Sequence, residues 1–182
     1  MQLSRLSIVA FTAASVLAGA VHAQAWPSKP VRVVVPFPAG GGTDLIAREL
    51  TNKVAKSGYN FIVDNKPGSG GNLGVDAAAK APADGYTFVL GQTSNLAINP
   101  TLYSKLPYDP LKDLTPVSMV ASAPLVIVVG SDSKFKTLDD VVKAAKAQPG
   151  SINYATSGNG TVAHLAAESF QKVAGIKLTH IP

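Results

Sequence analysis

The chain of 182 residues contains no cysteine and little charge, with Asp, Glu, Lys and Arg making up 15% of it. The absence of cysteine excludes disulfide bonds, and it excludes a lipid anchor attached through a cysteine near the amino terminus. Stability must therefore come from an ordinary buried core. The composition permits such a core, because 46% of the residues are hydrophobic.

The positive charge lacks the clustering that nucleic-acid binding requires. The formal net charge is +5 at pH 7, but the lysines are scattered along the chain rather than collected in a stripe. We therefore expect no nucleic-acid partner. A dispersed positive surface favours small anions only slightly.

Residues 1–23 have the layout of a secretory signal. Arg5 supplies one positive charge before an apolar run, and Val21 and Ala23 are the small residues that a cleavage site needs. The run is shorter than the roughly 20 apolar residues of a spanning helix and contains Thr12 and Ser15, which disfavours a retained membrane anchor. We predict cleavage after Ala23 and export of the protein to the periplasm.

Between residues 31 and 90, short β-branched runs alternate with longer segments of helical period. This alternation predicts βαβ units and a parallel sheet. The spacing of Leu45, Ile46, Leu50 and Val54 predicts that they form the buried face of the first helix. The predicted strands are residues 31–35, 61–63 and 86–90, and the predicted helices are residues 44–56 and 72–80.

The alternation resumes after a proline-rich stretch at residues 100–116, which predicts an irregular surface segment. Thr137 and Asp140 have the spacing of a capping box at the start of a helix. We place a boundary between two α/β lobes near Pro124, giving lobes of residues 24–122 and 123–182. Further strands are predicted at residues 117–121, 125–129, 152–155 and 176–181, with helices at residues 137–147 and 162–173, the latter with Leu165, Ala166, Phe170 and Val173 inward.

A glycine turn, PFPAGGGTD at residues 36–44, joins the first strand to the first helix. It places backbone N–H groups and the positive end of a helix dipole above the sheet, as in an anion site. A Walker loop would end in Gly-Lys-Ser or Gly-Lys-Thr, and this turn contains neither. A dinucleotide-binding fingerprint would have glycine in place of Leu45, although Asp64 does lie where the residue that binds the ribose is expected. Nucleotide binding is therefore poorly supported. The alternative is that the glycines only permit a tight turn.

Similar loops follow the other predicted strands. Small, hydroxyl-bearing and glycine residues recur in DNKPGSGGN at residues 64–72, TSN at residues 93–95 and SGNGT at residues 157–161. Open parallel α/β sheets bind ligands beyond the carboxyl ends of their strands, so these loops are predicted to line a ligand site. Helix N-termini from the two lobes would then face each other across a cleft.

Four motifs carry a resemblance to a known family. They are PAGGGTD with AR at residues 38–44 and 47–48, DNKPGSGG at residues 64–71, ADGYT at residues 83–87, and GNGT with HL at residues 158–161 and 164–165. Across residues 26–182 the chain resembles the periplasmic substrate-binding receptors of tripartite tricarboxylate transporters, the Bug family. The resemblance implies a type 2 periplasmic binding protein, an α/β fold whose two lobes close on a ligand. Members usually continue well beyond this length, which implies an incomplete second lobe here.

The resemblance also implies a function and a site. Members hold a small carboxylated metabolite with backbone N–H groups and hydroxyls at helix N-termini, and they deliver it to membrane permease subunits. We expect a monomer without cofactor or metal. Asp44 is open to two roles, as an acceptor from the ligand or as a first-turn acid stabilised by the helix dipole. The ligand-binding residues carried over by position are Gly40, Gly41, Gly42, Thr43, Asp44, Thr93, Ser94, Asn95, Ser157, Asn159, Thr161 and His164.

Two other interpretations remain. An exported α/β enzyme is disfavoured because no window matches the Gly-x-Ser-x-Gly elbow of a serine hydrolase. His164 and Glu168 have the i, i+4 spacing of a metal pair, but a third ligand is missing and a helix-surface contact is the simpler reading. A non-functional remnant or fragment of such a receptor is the other alternative, and a cooperative unfolding transition would argue against it.

Overall fold

The structure is a computed structural model that describes residues 26–182, so the predicted signal segment lies outside the described residues. The strands and helices predicted within residues 31–90 and 137–181 are confirmed, with ends shifted by a few residues. The elements are β1 (Val31–Val35), α1 (Gly42–Ala55), β2 (Phe61–Asn65), a 3-10 turn (Ser69–Gly71), α2 (Asn72–Ala79), β3 (Thr87–Val89), a π-helical turn (Ser94–Ile98), α3 (Asn99–Leu102), α4 (Leu138–Ala147), β4 (Asn153–Ala155), α5 (Val162–Ala174) and β5 (Thr179–Ile181).

The first sheet is parallel, and its strand order is β2, β1, β3. The crossover connections that parallel strands need are supplied by α1 and α2. Val31, Val34 and Val35 are fully buried, as expected for a central strand. The chain passes from the central strand β1 to β2 at one edge of the sheet, and it then crosses to β3 at the other edge. The crevice beyond the carboxyl ends of β1 and β3 is the position at which such sheets bind ligands.

The second sheet pairs β4 with β5 in parallel, and α5 connects them. The predicted capping box of α4 is confirmed, because the Thr137 hydroxyl accepts from the Asp140 amide at 3.2 Å and the Asp140 carboxylate accepts from the Thr137 amide at 2.9 Å. The hydroxyl of Thr161 caps the start of α5, and Gly175 ends that helix in the left-handed region with φ of 61°. Local sequence signals therefore set the ends of both helices.

The predicted buried face of α1 is wrong. Leu45, Ile46 and Leu50 are 40% to 59% exposed, whereas Asp44, Ala47 and Thr51 are buried. The helix packs against β1 and β2 with this second stripe. The small side chains of Ala47 and Thr51 permit close packing on the sheet, and the Asp44 carboxylate is satisfied by hydrogen bonds. Hydrophobic spacing alone therefore did not identify the buried face.

The two strands predicted within residues 117–129 are absent from the structure. This segment has no regular secondary structure and pairs with neither sheet. Its large apolar side chains are exposed, including Met119 at 86% and Val128 at 80%. A β-branched run becomes a strand only where a neighbouring strand satisfies its backbone N–H and C=O groups, and no such neighbour lies beside it among the described residues.

Two further expectations differ from the structure. Residues 93–95 do not form a loop; Thr93 begins a helical segment that continues through the π-helical turn into α3. In α5, Ala166 and Val173 are exposed, and Gln171 is the buried residue. The Gln171 side chain accepts from the Leu178 amide at 2.6 Å, so a polar contact fixes the return to β5.

Candidate functional site

The glycine turn leaves backbone donors open at the start of α1. Gly40 has φ of +81°, a conformation that favours glycine, and Gly41 is extended with φ of −74°. Among the hydrogen bonds of the described residues, the amides of Gly42, Thr43 and Asp44 have no acceptor. A Cβ added at Gly40 or Gly42 would meet nothing within 4 Å. The turn therefore presents unpaired N–H groups to open space beside a helix N-terminus.

Asp44 holds this turn in place. Its carboxylate is 1% exposed, and it accepts from the Gly40 amide and from Arg48 Nε, both at 2.8 Å, and from Asn65 Nδ2 at 2.9 Å. The hydrogen bonds from Arg48, Gly40 and Asn65 hold the pKa of the carboxyl group well below its usual range. Both oxygens are thus occupied within the chain. The structure gives Asp44 a turn-positioning role, and a direct contact with a ligand stays a prediction.

Thr43 is linked to the end of β3 through Gln92. The side-chain amide of Gln92 donates to the Thr43 hydroxyl, and its backbone amide donates to Asn95 Oδ1 at 2.9 Å. Because the Thr43 oxygen accepts from Gln92, its own hydrogen is left available for a ligand oxygen. Gln92 lies three positions after Val89, the last residue of β3, and its contact with Thr43, 49 residues earlier in the chain, was not predicted from the sequence.

Ser94 and Asn95 lie beneath this site rather than on its surface. They are 1% and 0% exposed, and the Asn95 carbonyl accepts from the Tyr108 hydroxyl at 2.7 Å. In this conformation Asn95 contacts Gln92 through its Oδ1, and a direct role of Ser94 or Asn95 in binding stays a prediction. Thr93, also predicted to bind ligand, is exposed at the start of the helical segment.

The second set of predicted residues lies around the loop between β4 and α5. Asn159 and His164 line a recess of about 320 Å³ together with Gly160, Leu102 and Tyr103. Leu102 and Tyr103 were not predicted as site residues; they end and follow α3, and only the tertiary structure brings them to this loop. Of the other two predicted residues, Thr161 is buried as the helix cap and Ser157 is exposed.

Close glycine contacts join this loop to the first half of the chain. A Cβ at Gly70 would lie 2.8 Å from the Asn159 carbonyl oxygen, and one at Gly160 would lie 2.5 Å from Asn99 Oδ1. The Tyr103 hydroxyl donates to the Asn159 carbonyl at 3.4 Å. The contacts that link the two halves therefore run through the loop after β2 and through α3, while the glycine turn stays open.

A cluster of aromatic rings supports the recess from the second sheet. The ring of His180 stacks on His164 with centroids 4.3 Å apart and on Tyr154 with centroids 4.9 Å apart. Thr156 Oγ1 lies 2.7 Å from His180 Nε2, and the Tyr154 hydroxyl donates to Glu168 at 2.8 Å. Burial lowers the pKa of His180, and the charge of His164 lowers it further.

The lowered pKa of His180 predicts that acid destabilises the protein. An unfolded histidine takes up a proton near pH 6.5, whereas His180 in the folded protein takes it up only at a lower pH. The contribution of neutral His180 to the free energy of unfolding is therefore fully present above pH 6.5 and is lost as the pH falls below that value. His180→Phe keeps an aromatic ring at this position but removes the titrating group. We expect the decrease in melting temperature from pH 7 to pH 5 to be smaller in this variant than in the wild type. Equal losses in the two proteins would contradict this assignment.

The described residues offer no metal site. Among residues 26–182, no group of three or more His, Asp or Glu side chains could hold a metal ion. Glu168, which has metal-pair spacing to His164, instead accepts from Tyr154 and from Gln171, each at 2.8 Å. The spacing therefore reflects a side-chain network on the surface of the second sheet.

Comparison with known families identifies the family of this chain. A sequence model described as "Tripartite tricarboxylate transporter family receptor" matches residues 46–182. The chain belongs to this family. The resemblance carried by the four motifs is thereby confirmed, and the family consists of receptors rather than enzymes. BugT of Bordetella pertussis is 41% identical over an alignment that covers 100% of this chain and 57% of BugT.

Solved structures confirm the periplasmic binding protein fold. A Rhodopseudomonas palustris protein solved with adipate matches with a TM-score of 0.83 and 35% identity, over 86% of this chain and 53% of its own. MatC from Rhodopseudomonas palustris, with bound malate, matches with a TM-score of 0.78 and 30% identity, over 86% of this chain and 54% of its own. The chain thus spans about half the length of the relatives it matches.

Proposed function

We propose that the protein is a periplasmic receptor that captures a small carboxylated metabolite for the permease of a tripartite tricarboxylate transporter. The observation that carries the proposal is the glycine turn, whose unpaired amides at Gly42, Thr43 and Asp44 open onto free space at the carboxyl end of β1. Family membership supports the receptor role, and the adipate and malate in the two similar structures support the class of ligand.

The chemistry of the turn suits a carboxylate. Backbone N–H groups at a helix N-terminus carry partial positive charge, and hydrogen bonds to a charged acceptor are stronger than neutral ones. The Thr43 hydroxyl can add a donor, because its oxygen already accepts from Gln92. The negative charge of Asp44 is offset by Arg48 at 2.8 Å, which limits its repulsion of an anion. The three open amides and the Thr43 hydroxyl thus give the turn four donors for an anion.

Location in the periplasm rests on the predicted signal segment and on the family. Among residues 26–182, none of the helices combines the length and the apolar composition that a membrane span requires. Delivery to permease subunits is the part of the proposal that rests on family membership alone. We propose that the receptor is a monomer.

The proposal is tested by ligand titration. We expect the melting temperature of the purified protein to rise with the concentration of one or more acids in a panel of mono-, di- and tricarboxylates that includes malate and adipate. A ligand at 100 times its Kd stabilises the folded state by about 2.7 kcal/mol. NAD serves as the control for a nucleotide site. A cooperative melt that no acid shifts, or a shift with NAD alone, would contradict the proposal.

Replacing Gly41 with leucine locates the site. The backbone at Gly41 is extended and a Cβ there would lie 3.4 Å from the nearest atom, the Pro38 carbonyl oxygen, so the fold accepts the side chain. Leucine would project beside the open amides and block a carboxylate. We expect at least a roughly tenfold loss of affinity by isothermal titration, equivalent to about 1.4 kcal/mol, with little change in melting temperature.

The matched control is Ala55→Leu, at the last residue of the same helix and also exposed. It adds the same side chain at the opposite end of α1 and should leave affinity unchanged. Equal affinities of Gly41→Leu and the wild type would place the binding site away from the glycine turn.

A further inference from the structure

A side chain that follows β3 reaches the start of α1. The side-chain amide of Gln92 donates to the Thr43 hydroxyl, although the two residues are 49 positions apart. Because β1 and β3 are parallel neighbours, the segments that follow them lie side by side at the carboxyl edge of the sheet. Gln92 therefore links the segment after β3 to the helix that begins after the glycine turn.

The backbone of Gln92 is held by buried residues. Its amide donates to Asn95 Oδ1 at 2.9 Å, and its carbonyl accepts from the Leu96 amide at 3.0 Å. Asn95 is fully buried, and its carbonyl accepts from the buried Tyr108 hydroxyl at 2.7 Å. Breaking these bonds would leave polar groups of Asn95 and Tyr108 unpaired away from water, which is costly. The point from which the Gln92 side chain extends is therefore fixed.

The Thr43 side chain depends on Gln92 for its orientation. A threonine in a helix has two available rotamers, since its hydroxyl can also donate to a carbonyl three or four residues earlier. Thr51 of α1 shows this alternative, because its hydroxyl donates to the Arg48 carbonyl at 3.0 Å. Among the described residues, the hydroxyl of Thr43 has the Gln92 amide as its partner. That contact occupies the oxygen as an acceptor and leaves the hydroxyl hydrogen free to donate.

We infer that Gln92 is a positioning residue for the glycine turn, which acts through Thr43 and does not itself contact the ligand. Its amide holds the Thr43 hydroxyl in one rotamer, as a donor in the turn that carries the open backbone amides. The inference rests on the proposed function, because it explains how a hydroxyl of the same site is prepared for a carboxylate. It adds a residue from outside the turn that sets the affinity of the turn.

The first test measures the rotamer and needs no ligand. Three-bond NMR couplings from the threonine methyl carbon to the backbone nitrogen and carbonyl carbon report the side-chain rotamer. We expect one rotamer for Thr43 in the wild type and an average of two in Gln92→Met, which keeps the length of the side chain but lacks the amide. Thr51 is the internal control, because its own hydrogen bond is unchanged. An unchanged Thr43 rotamer in Gln92→Met would overturn the inference, whether or not the protein binds acids.

The second test is a double-mutant cycle of binding to the best acid of the panel. We expect about a three- to tenfold loss of affinity in Gln92→Met and at least a roughly tenfold loss in Thr43→Val, which removes the hydroxyl at nearly constant shape. In the double variant, Gln92→Met should add no loss to that of Thr43→Val, because its effect passes through the hydroxyl. Additive losses would show that Gln92 acts on the ligand by another route and would overturn the inference.

The matched control is Gln148→Met at the end of α4. Gln148 is exposed, and its hydrogen bonds run through its backbone. This variant should leave both the Thr43 rotamer and the affinity unchanged. Far-ultraviolet circular dichroism and melting curves of all variants confirm that any loss of affinity arises in a folded protein.

The outcomes separate this inference from the proposed function. Acid binding that is equal in Gln92→Met and the wild type overturns the positioning role and leaves the receptor function in place. A wild-type protein that binds no acid contradicts the receptor function, and the positioning role falls with it.

Discussion

Asp44→Asn is expected to lower both the melting temperature and the ligand affinity, because it places an NH₂ group against N–H groups that donate to the Asp44 carboxylate. The Asp44 carboxylate accepts three hydrogen bonds, from Gly40, Arg48 and Asn65. An asparagine must direct its NH₂ group at one or more of these N–H groups, and an unpaired buried donor is costly. We expect a fall in melting temperature on the order of 5 to 10 °C, together with at least a roughly tenfold loss of carboxylate affinity as the turn loses its anchor.

Asp139→Asn is the matched control for this prediction. Asp139 is also an acid in the first turn of a helix, α4, but it is exposed. The control removes the same helix-dipole contribution without breaking a buried network, so its melting temperature should stay close to that of the wild type. Equal effects of the two substitutions would mean that Asp44 acts only through the helix dipole.

A pH series gives the Asp44 prediction a second readout. The pKa of Asp44 is held far below the ordinary aspartate value of 3.8, with the hydrogen bond from Arg48 as the largest cause. The stability that it contributes is therefore present above that pH and is lost as the pH falls toward the lowered pKa. The difference in melting temperature between wild type and Asp44→Asn should shrink in strong acid. A difference that stays constant would contradict the charge-based explanation.

Gly74→Ala is expected to destabilise the protein by about 2 to 3 kcal/mol, because it overpacks a contact between backbones. Gly74 is buried in α2, and a Cβ there would lie 2.7 Å from Pro36 Cα and 2.8 Å from the Lys66 carbonyl oxygen. Neither atom can rotate away as a side chain could. Because Pro36 is the first residue of the glycine turn, the same shift should weaken carboxylate binding.

Gly42→Ala is the matched control, since it makes the same change in the helix α1. A Cβ at Gly42 would meet nothing within 4 Å, and alanine favours a helix over glycine by about 0.5 to 1 kcal/mol. Urea unfolding of both variants at pH 7 should thus show opposite signs. A stable Gly74→Ala variant would mean that α2 does not pack this closely on β1 and β2.

The site was predictable in part, to the extent that its features are local in sequence. The glycine turn after β1 and the loop after β4 lie where strand and helix patterns placed them. Gln92 was missed because its partner Thr43 is 49 residues away. Leu102 and Tyr103 were missed because a proline-rich stretch gave no reason to bring them to a loop more than fifty positions later in the chain.

The prediction for residues 117–129 was wrong for a related reason. The run has the composition of two strands, and composition reports how well side chains suit a sheet rather than whether a partner strand is present. In the structure the segment is unpaired and its apolar side chains are exposed. Pairing is a property of two segments, so one segment's residues do not decide it.

The sequence by itself determined the order of strands and helices within residues 31–90 and 137–181, the parallel pairing that βαβ alternation requires, the capping box at Thr137, and the family. Each of these depends on residues a few positions apart, or on motifs read in order. Only the tertiary structure decided which face of α1 is buried, that Asp44 is anchored by Asn65 from 21 residues away, and that His164 receives the Gly160 amide beneath a stacked His180. Those features depend on contact geometry, which local propensity and periodicity do not encode.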